Sequence, residues 1–183
     1  MKNIFYNSDM MNIPGDKDII YLGMGCFWGA EKLFWKIKGV YVTAVGYSSG
    51  DKFNPTYEEV CSGKTNHAEV VKIAYDVKII NTFDLLIHFW QGHNPTQGMR
   101  QGNDIGTQYR SMIITTNDNQ KKDALRTKDL YEKTLKKSGF SKITTEIVDY
   151  VNFFYAEDYH QQYLMKNPMG YCGLGGCNVS FEK

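Results

Sequence analysis

The sequence predicts an α+β fold, and three observations carry the prediction. Some segments are rich in β-branched residues or alternate in polarity. Others repeat apolar residues at spacings of three and four. The two kinds do not alternate strictly along the chain, as a doubly wound parallel sheet would require. At 183 residues the chain is long enough for about one domain of roughly 150 residues. We expect an N-terminal arm over 1–17 and one domain over 18–183, with the tail 170–183 included.

Taken in order, residues 1–17 are polar and irregular, broken at Pro14-Gly15. Residues 18–24 read as a buried strand. A helix should follow from Cys26 to Lys38, because Phe27, Ala30, Phe34 and Ile37 share one helical face, and Gly39 should cap its end. Val40–Tyr47 and Glu69–Val77 read as strands, with Tyr57–Cys61 a short helix between them. Phe83–Trp90 is helical, with Leu86, Phe89 and Trp90 on one side. Residues 91–108 hold four Gly, one Pro and few aliphatics, so they read as a long polar loop, the kind that carries function or is disordered. Tyr109–Thr115 is a strand and 118–137 a charged helix with a sparse face of Ala124, Leu125, Leu130 and Leu135. Ile143–Val148 is a strand. Ala156–Met165 is a short helix that stops before Pro168. Gly170, Gly173, Gly175 and Gly176 make the tail an expected flexible segment.

Composition excludes several classes. The net charge of +1 leaves no excess of cations for a nucleic-acid or anionic-membrane surface. No apolar run approaches the roughly 20 residues of a membrane span. The opening Met1-Lys2-Asn3-Ile4-Phe5-Tyr6 lacks the apolar stretch of a secretory signal. A cytoplasmic, reducing setting is therefore expected. Cysteines there are more often catalytic or metal-bound than cross-linked. With no long heptads, a monomer is expected.

Cys26 is the most informative residue. It follows a strand and Gly25, at the expected first turn of a helix, where free N–H groups and the dipole favour a thiolate. The alternative is a buried, inert thiol, since apolar burial raises a thiol's pKa. Phe27 and Trp28 follow it. They lie about 100° apart on a helix, so one is free to line a site while the other packs in the core. Glu69 interrupts an apolar strand. It is either a half-buried carboxyl that donates a proton near neutral pH or a solvent-facing residue. Asp104, Tyr109 and Arg110 come from the polar loop and the strand after it. A Tyr hydroxyl donates well to an oxygen that gains charge, and Tyr57 suits the same task. Cys172 and Cys177 form a C-x4-C pair, not the C-x2-C of a redox helix or zinc knuckle. On a mobile tail such a thiol resolves a distant sulfur; otherwise both are incidental. Cys61 reads as a packed structural thiol.

The run Gly25-Cys26-Phe27-Trp28-Gly29 resembles the active-site signature of the A-type peptide methionine sulfoxide reductases. The resemblance continues through Pro55-Thr56-Tyr57-Glu58-Glu59-Val60-Cys61-Ser62-Gly63 and His67-Ala68-Glu69. It extends through Arg100–Ser111, His160-Gln161-Gln162-Tyr163-Leu164 and Gly170-Tyr171-Cys172-Gly173. It thus covers residues 18–176 in the family's order. It implies a two-layer sandwich with a ferredoxin-like core and a long C-terminal coil that carries Cys172 back to the site. It also implies a reaction, reduction of the S epimer of free or protein-bound methionine sulfoxide. Cys26 would be the nucleophile that becomes a sulfenic acid, and Glu69 the proton donor. Tyr57 and Tyr109 would polarise the S–O bond, and Asp104 would organise the site. Phe27 and Trp28 would cage the substrate methyl. Cys172 would resolve the sulfenic acid as a disulfide, recycled by thioredoxin. No metal or organic cofactor is implied.

Ser49, Asn94 and Met99 stand where family members often carry other residues, none at a catalytic position. Cys177 departs more. It lies five residues after Cys172, closer than a second recycling cysteine usually stands, and either relays the disulfide to thioredoxin or is idle. A thiol peroxidase would need neither the methyl cage nor Glu69. A binding module for oxidised methionine would need neither Cys26 nor Cys172. A zinc domain lacks its C-x2-C.

Overall fold

The computed structural model describes all residues, 1–183, and burial orders its sheet. The elements are β1 (Asp18–Met24), α1 (Phe27–Phe34), β2 (Val40–Ser48), α2 (Tyr57–Cys61), β3 (Ala68–Tyr75), α3 (Thr82–Gly92), β4 (Arg100–Gln101), β5 (Asp104–Ile105), β6 (Ser111–Thr115), α4 (Asp118–Lys137), β7 (Glu146–Asp149), β8 (Phe154–Tyr155) and α5 (Tyr163–Lys166). Six strands form one mixed sheet in the order β7-β6-β1-β3-β2-β8, and β4 pairs with β5 in a separate hairpin. All neighbours are antiparallel except β6 and β7. The wholly buried β3 lies inside the sheet, while the short, half-exposed β7 and β8 take the edges. Short edges leave little unpaired backbone to recruit another chain.

One sheet face packs on helices. Ile20, Leu22, Met24, Val71, Ile73 and Ile113 meet Ala30 and Phe34 of α1, Leu86, Phe89 and Trp90 of α3, and Ala124 and Leu135 of α4. The other face has no helix. Val148 and Phe153 cover Tyr21, Val70, Met112 and Ile114, and Met10 covers Val42, Ala44 and Ala74. Helix starts follow local chemistry. Thr56 and Glu59 form a reciprocal capping box on α2. Asn81 and Asn117 accept N–H bonds from Asp84 at 2.8 Å and Gln120 at 3.0 Å.

The structure corrects several expected boundaries. The 1–17 arm is docked: Met10 is 1% exposed, and the buried Asn3 donates to the Thr43 carbonyl at 2.8 Å. Helix α1 ends at Phe34, not Lys38, because tight turns take over, with Ile37 N–H donating to Phe34 O and Val40 N–H to Ile37 O. Gly39 is therefore no helix cap; it sits at φ +99° leading into β2. Strand β3 ends at Tyr75, where Asp76 starts a turn capped by its own carboxylate. The 91–108 loop contains the β4–β5 hairpin, and Tyr109 lies in a 3-10 turn ahead of β6. β8, too short for a period-2 signal, pairs with Gly46 and Tyr47. Of the expected 156–165 helix only the end forms, as α5 (Tyr163–Lys166), because Gln162 takes a left-handed φ of +48°.

The tail has no helix or strand but is pinned rather than flexible. Tyr131 OH donates to Val179 O at 3.0 Å, and Phe181 N–H donates to Gln91 Oε1 at 2.7 Å. The Phe181 ring stacks on Tyr131 at 5.7 Å.

If the arm is part of the core, Met10→Ala should cost about 2–5 kcal/mol in chemical denaturation, as a truncated buried Met does. A frayed arm would leave the midpoint unchanged.

Candidate active site

Cys26 sits where β1 gives way to α1. Gly25 makes the turn at φ +91°, and a Cβ there would meet the Gln101 side chain at 2.6 Å. Cys26 is the N-cap of α1 rather than part of its first turn. The first free N–H of the helix, from Phe27, goes to Glu69 Oε2 at 3.0 Å. Those of Trp28 and Gly29 point to the Cys26 sulfur. Burial pushes the thiol well above its usual range, ionisation of Glu69 would push it further, and the two N–H donors only oppose this. The resting Cys26 is thus a thiol, not the thiolate that its helix start suggests.

Glu69 faces the helices, paired in register with Tyr47 of β2, and is 2% exposed. The solvent-facing reading fails. Burial lifts its carboxyl to about 8, against the pull of the Phe27 N–H and with help from the Asp104 charge. At neutral pH this carboxyl carries a proton that it can donate.

These groups open on a cavity of about 170 Å³. Cys26, Phe27 and Trp28 line it from α1, Tyr57 from α2 and Tyr109 from the 3-10 turn. Asp104 of β5 and Tyr171 of the tail complete the rim with Glu69. Burial holds the hydroxyls of Tyr57 and Tyr109 protonated, and it raises the Asp104 carboxyl against the Tyr171 hydroxyl, 3.4 Å away. Both aromatics after Cys26 reach the cavity, although their angular separation had left room for one. The cavity lies over the end of α1, not along its side. Phe27 is fully buried against Val45, Tyr47 and Val60. Trp28 stacks on Tyr163 at 3.8 Å, and its Nε1–H donates to His160 Nδ1 at 3.0 Å.

All four cysteines are free. Cys172 is exposed on the tail, yet its sulfur lies over Gly29: a Cβ on that glycine would sit 3.2 Å from it. Cys177 is half-buried against the helix-side core. Cys61 is exposed beside the Tyr57 hydroxyl, not packed as its apolar neighbours suggest. No cluster of three or more His, Cys, Asp or Glu side chains could hold a metal. Tyr171, His160 and Tyr163 join the site without any signal in the sequence for the role each takes. His160 lies 132 residues from its partner Trp28, and nothing local marks either tyrosine among the 13 in the chain.

Comparison with known proteins matches residues 18–178 to the family described as peptide methionine sulfoxide reductase. A curated relative from Rippkaea orientalis, the peptide methionine sulfoxide reductase MsrA, is 59% identical over 91% of this chain and 77% of its own length. Among solved structures, methionine sulfoxide reductase A of Corynebacterium diphtheriae superposes with a TM-score of 0.86 at 43% identity, over 93% of this chain and 83% of that one. Mxr1 of Saccharomyces cerevisiae in complex with Trx2 aligns with a TM-score of 0.57 at 25% identity, over 82% and 87% of the two chains.

A carboxyl whose pKa is raised by folding stabilises the fold fully below its unfolded value. That stability is lost as pH rises through the folded value. Glu69→Gln should therefore match wild type near pH 4.5 and gain on it up to pH 8. The gain is about 1.4 kcal/mol per pH unit at most, read from denaturation midpoints. A constant gap across that range would contradict the buried, neutral acid.

Proposed function

The chain belongs to the peptide methionine sulfoxide reductase family and is an oxidoreductase of that kind; from this premise we propose how its residues divide the reaction. The observation that carries the proposal is one small cavity holding a thiol, a protonated buried carboxyl and two protonated phenols against aromatic walls. A methionine S-sulfoxide fits it with its methyl on Phe27 and Trp28 and its oxygen toward Glu69, Tyr57 and Tyr109. The tyrosine hydroxyls donate to the oxygen as it gains charge. Glu69 gives it a proton while the Cys26 sulfur attacks the substrate sulfur and loses its own proton. The transient bond between the Cys26 sulfur and the substrate sulfur and the S–O bond then both break as the protonated oxygen passes to the Cys26 sulfur. Methionine thus leaves with the electron pair on its sulfur, and the thiol proton replaces the one Glu69 gave up. The sum is Cys26–SH plus sulfoxide giving Cys26–SOH plus thioether, with no net proton taken up. Asp104 organises the rim through the Tyr171 hydroxyl.

The Cys172 thiol then condenses with the sulfenic acid, forming the Cys26–Cys172 disulfide and water. Its place over Gly29, on the helix that Cys26 caps, supports this pairing. A thioredoxin dithiol reduces the disulfide; the solved complex of a family member with Trx2 supports that reductant. Cys177 relays the disulfide outward if the tail lifts from the core. The spatial order β6-β1-β3-β2, antiparallel throughout, supports a ferredoxin-like core within a catalytic domain over 18–183. The tail supports the role of a C-terminal coil that brings Cys172 to the site. No helix is long and apolar enough to cross a membrane. We read the enzyme as a cytoplasmic monomer that acts on free and protein-bound sulfoxide.

Fully reduced protein mixed with excess methionine S-sulfoxide, and no reductant, should release one methionine and leave a Cys26–Cys172 bridge by mass spectrometry. Two methionines with a Cys172–Cys177 bridge would establish the relay. None, with thiols intact, would overturn the reading. Cys26→Ser should abolish release, and Glu69→Gln should slow the reductive step by about one to two orders of magnitude. Cys172→Ser should stop after about one methionine per enzyme, even with thioredoxin present, because its sulfenic acid has no resolving thiol.

A further inference from the structure

Glu157 takes no part in the reaction above, yet it lies between the two walls of the cavity. Its Oε1 accepts the backbone N–H of Tyr57 at 2.9 Å, and its Oε2 accepts the Tyr47 hydroxyl at 2.9 Å. The third group beside it is His160. Because Trp28 Nε1–H donates to His160 Nδ1, the neutral ring carries its proton on Nε2. That nitrogen is buried, has no hydrogen-bond partner, and lies 3.9 Å from Glu157 Oε2. The His160 ring, 1% exposed, is 5.1 Å from Phe27, 5.7 Å from Trp28 and 4.6 Å from Tyr57 between ring centres. One carboxylate thus bonds the oxygen wall through the backbone of Tyr57 and, with no direct hydrogen bond, sets its negative charge against the Nε2–H of His160 in the methyl wall. Burial pulls the Glu157 carboxyl upward, but its donors outweigh this and keep it below the ordinary range, so it is ionised.

We propose that Glu157 is a positioning residue for the reductase reaction: it fixes Trp28, through His160, and Tyr57, through its N–H, at one spacing across the cavity. This rests on the reductase reading above. The carboxylate is needed because every group around it donates. In Glu157→Gln the amide oxygen still accepts from Tyr57, but the NH₂ faces the Nε2–H of His160 and the Tyr47 hydroxyl. Tyr47 can turn its hydroxyl to accept. His160 can do so only by moving its proton to Nδ1, where it meets the Trp28 N–H. The substitution therefore replaces the charge that faces the His160 N–H with a donor, which turns the ring and the Trp28 bonded to it, while the bond to Tyr57 is kept.

The test is a double-mutant cycle on methionine released from reduced enzyme, at subsaturating N-acetylated methionine S-sulfoxide. Glu157→Gln should lower the second-order rate constant about tenfold in the wild-type background, but less than about threefold in Trp28→Phe, which has no indole N–H to lose, since residues acting through each other are non-additive. A loss confined to folding would act equally in both backgrounds, and equal factors overturn the inference while the reductase reading stands. If wild type releases no methionine, both fall. Should Glu157→Gln fail to fold, His160→Leu cuts the same link from the other side. It must show the same dependence on Trp28, and equal factors again overturn the inference.

Discussion

The hydrogen bond from Phe27 N–H to the buried Glu69 carboxyl is the contact on which the rest of the site depends. It joins the inner strand β3 to the first residue of α1, and so sets where the helix begins relative to the sheet. Cys26, one residue earlier, is held beside the same carboxyl without a direct bond between them. An N-cap is normally filled by Ser, Thr, Asp or Asn, whose side chain satisfies a free N–H. Here a carboxyl from β3 takes the first free N–H, that of Phe27, which a cap side chain does not reach. The cap position is left to a cysteine whose sulfur faces the cavity.

The same contact gives the cavity its electrostatic character. A buried carboxylate would be costly, and the fold meets the cost by keeping Glu69 protonated. Cys26 also stays protonated, against the helix end that would ionise it. A neutral acid beside a neutral thiol suits a neutral substrate, because no ion has to be stripped of water on binding. In the proposed reaction, charge appears only as the oxygen takes up its proton, and the two phenols stand where it appears. Glu31 and Glu157, the other carboxyls near α1, are placed differently. Glu31 is fully buried, accepts from Thr43 and from the side chain and backbone of Gln162, and braces the far part of the helix.

Much of this was legible in the chain. Residues 118–137 form a helix, although Leu125 of its expected face is exposed, and 18–24 form a strand. Cys26, Phe27, Trp28, Tyr57, Glu69, Asp104 and Tyr109, read as site residues, line one cavity. The misses have physical causes. Met10 lies in an irregular arm with no periodic signal to separate it from the exposed Met11, yet it seals a sheet face. Phe154 and Tyr155 owe their strand to partners more than 100 residues away. His160 was hidden because residues 156–162 read as helix, while the backbone is irregular and turns its side chain toward Trp28. The tail glycines suggested freedom, but glycine also permits close approach. Gly176 lies so near the Gln91 carbonyl that any side chain would collide with it.

That close approach bears on how fast the proposed disulfide forms. Leu164 and Tyr163 lie against Gly170 at one end of the tail, and Gln91, Tyr131 and Asp84 hold Gly176 to Lys183 at the other. Cys172 therefore rides on a tether of a few residues fixed at both ends. A short tether gives a group an effective concentration of about millimolar or more at its target. A small thiol diffusing in from solution would have to exceed that concentration to reach the sulfenic acid first. In the proposed reaction the tail would thus serve as a kinetic guard, making the enzyme's own second sulfur the default partner of its first.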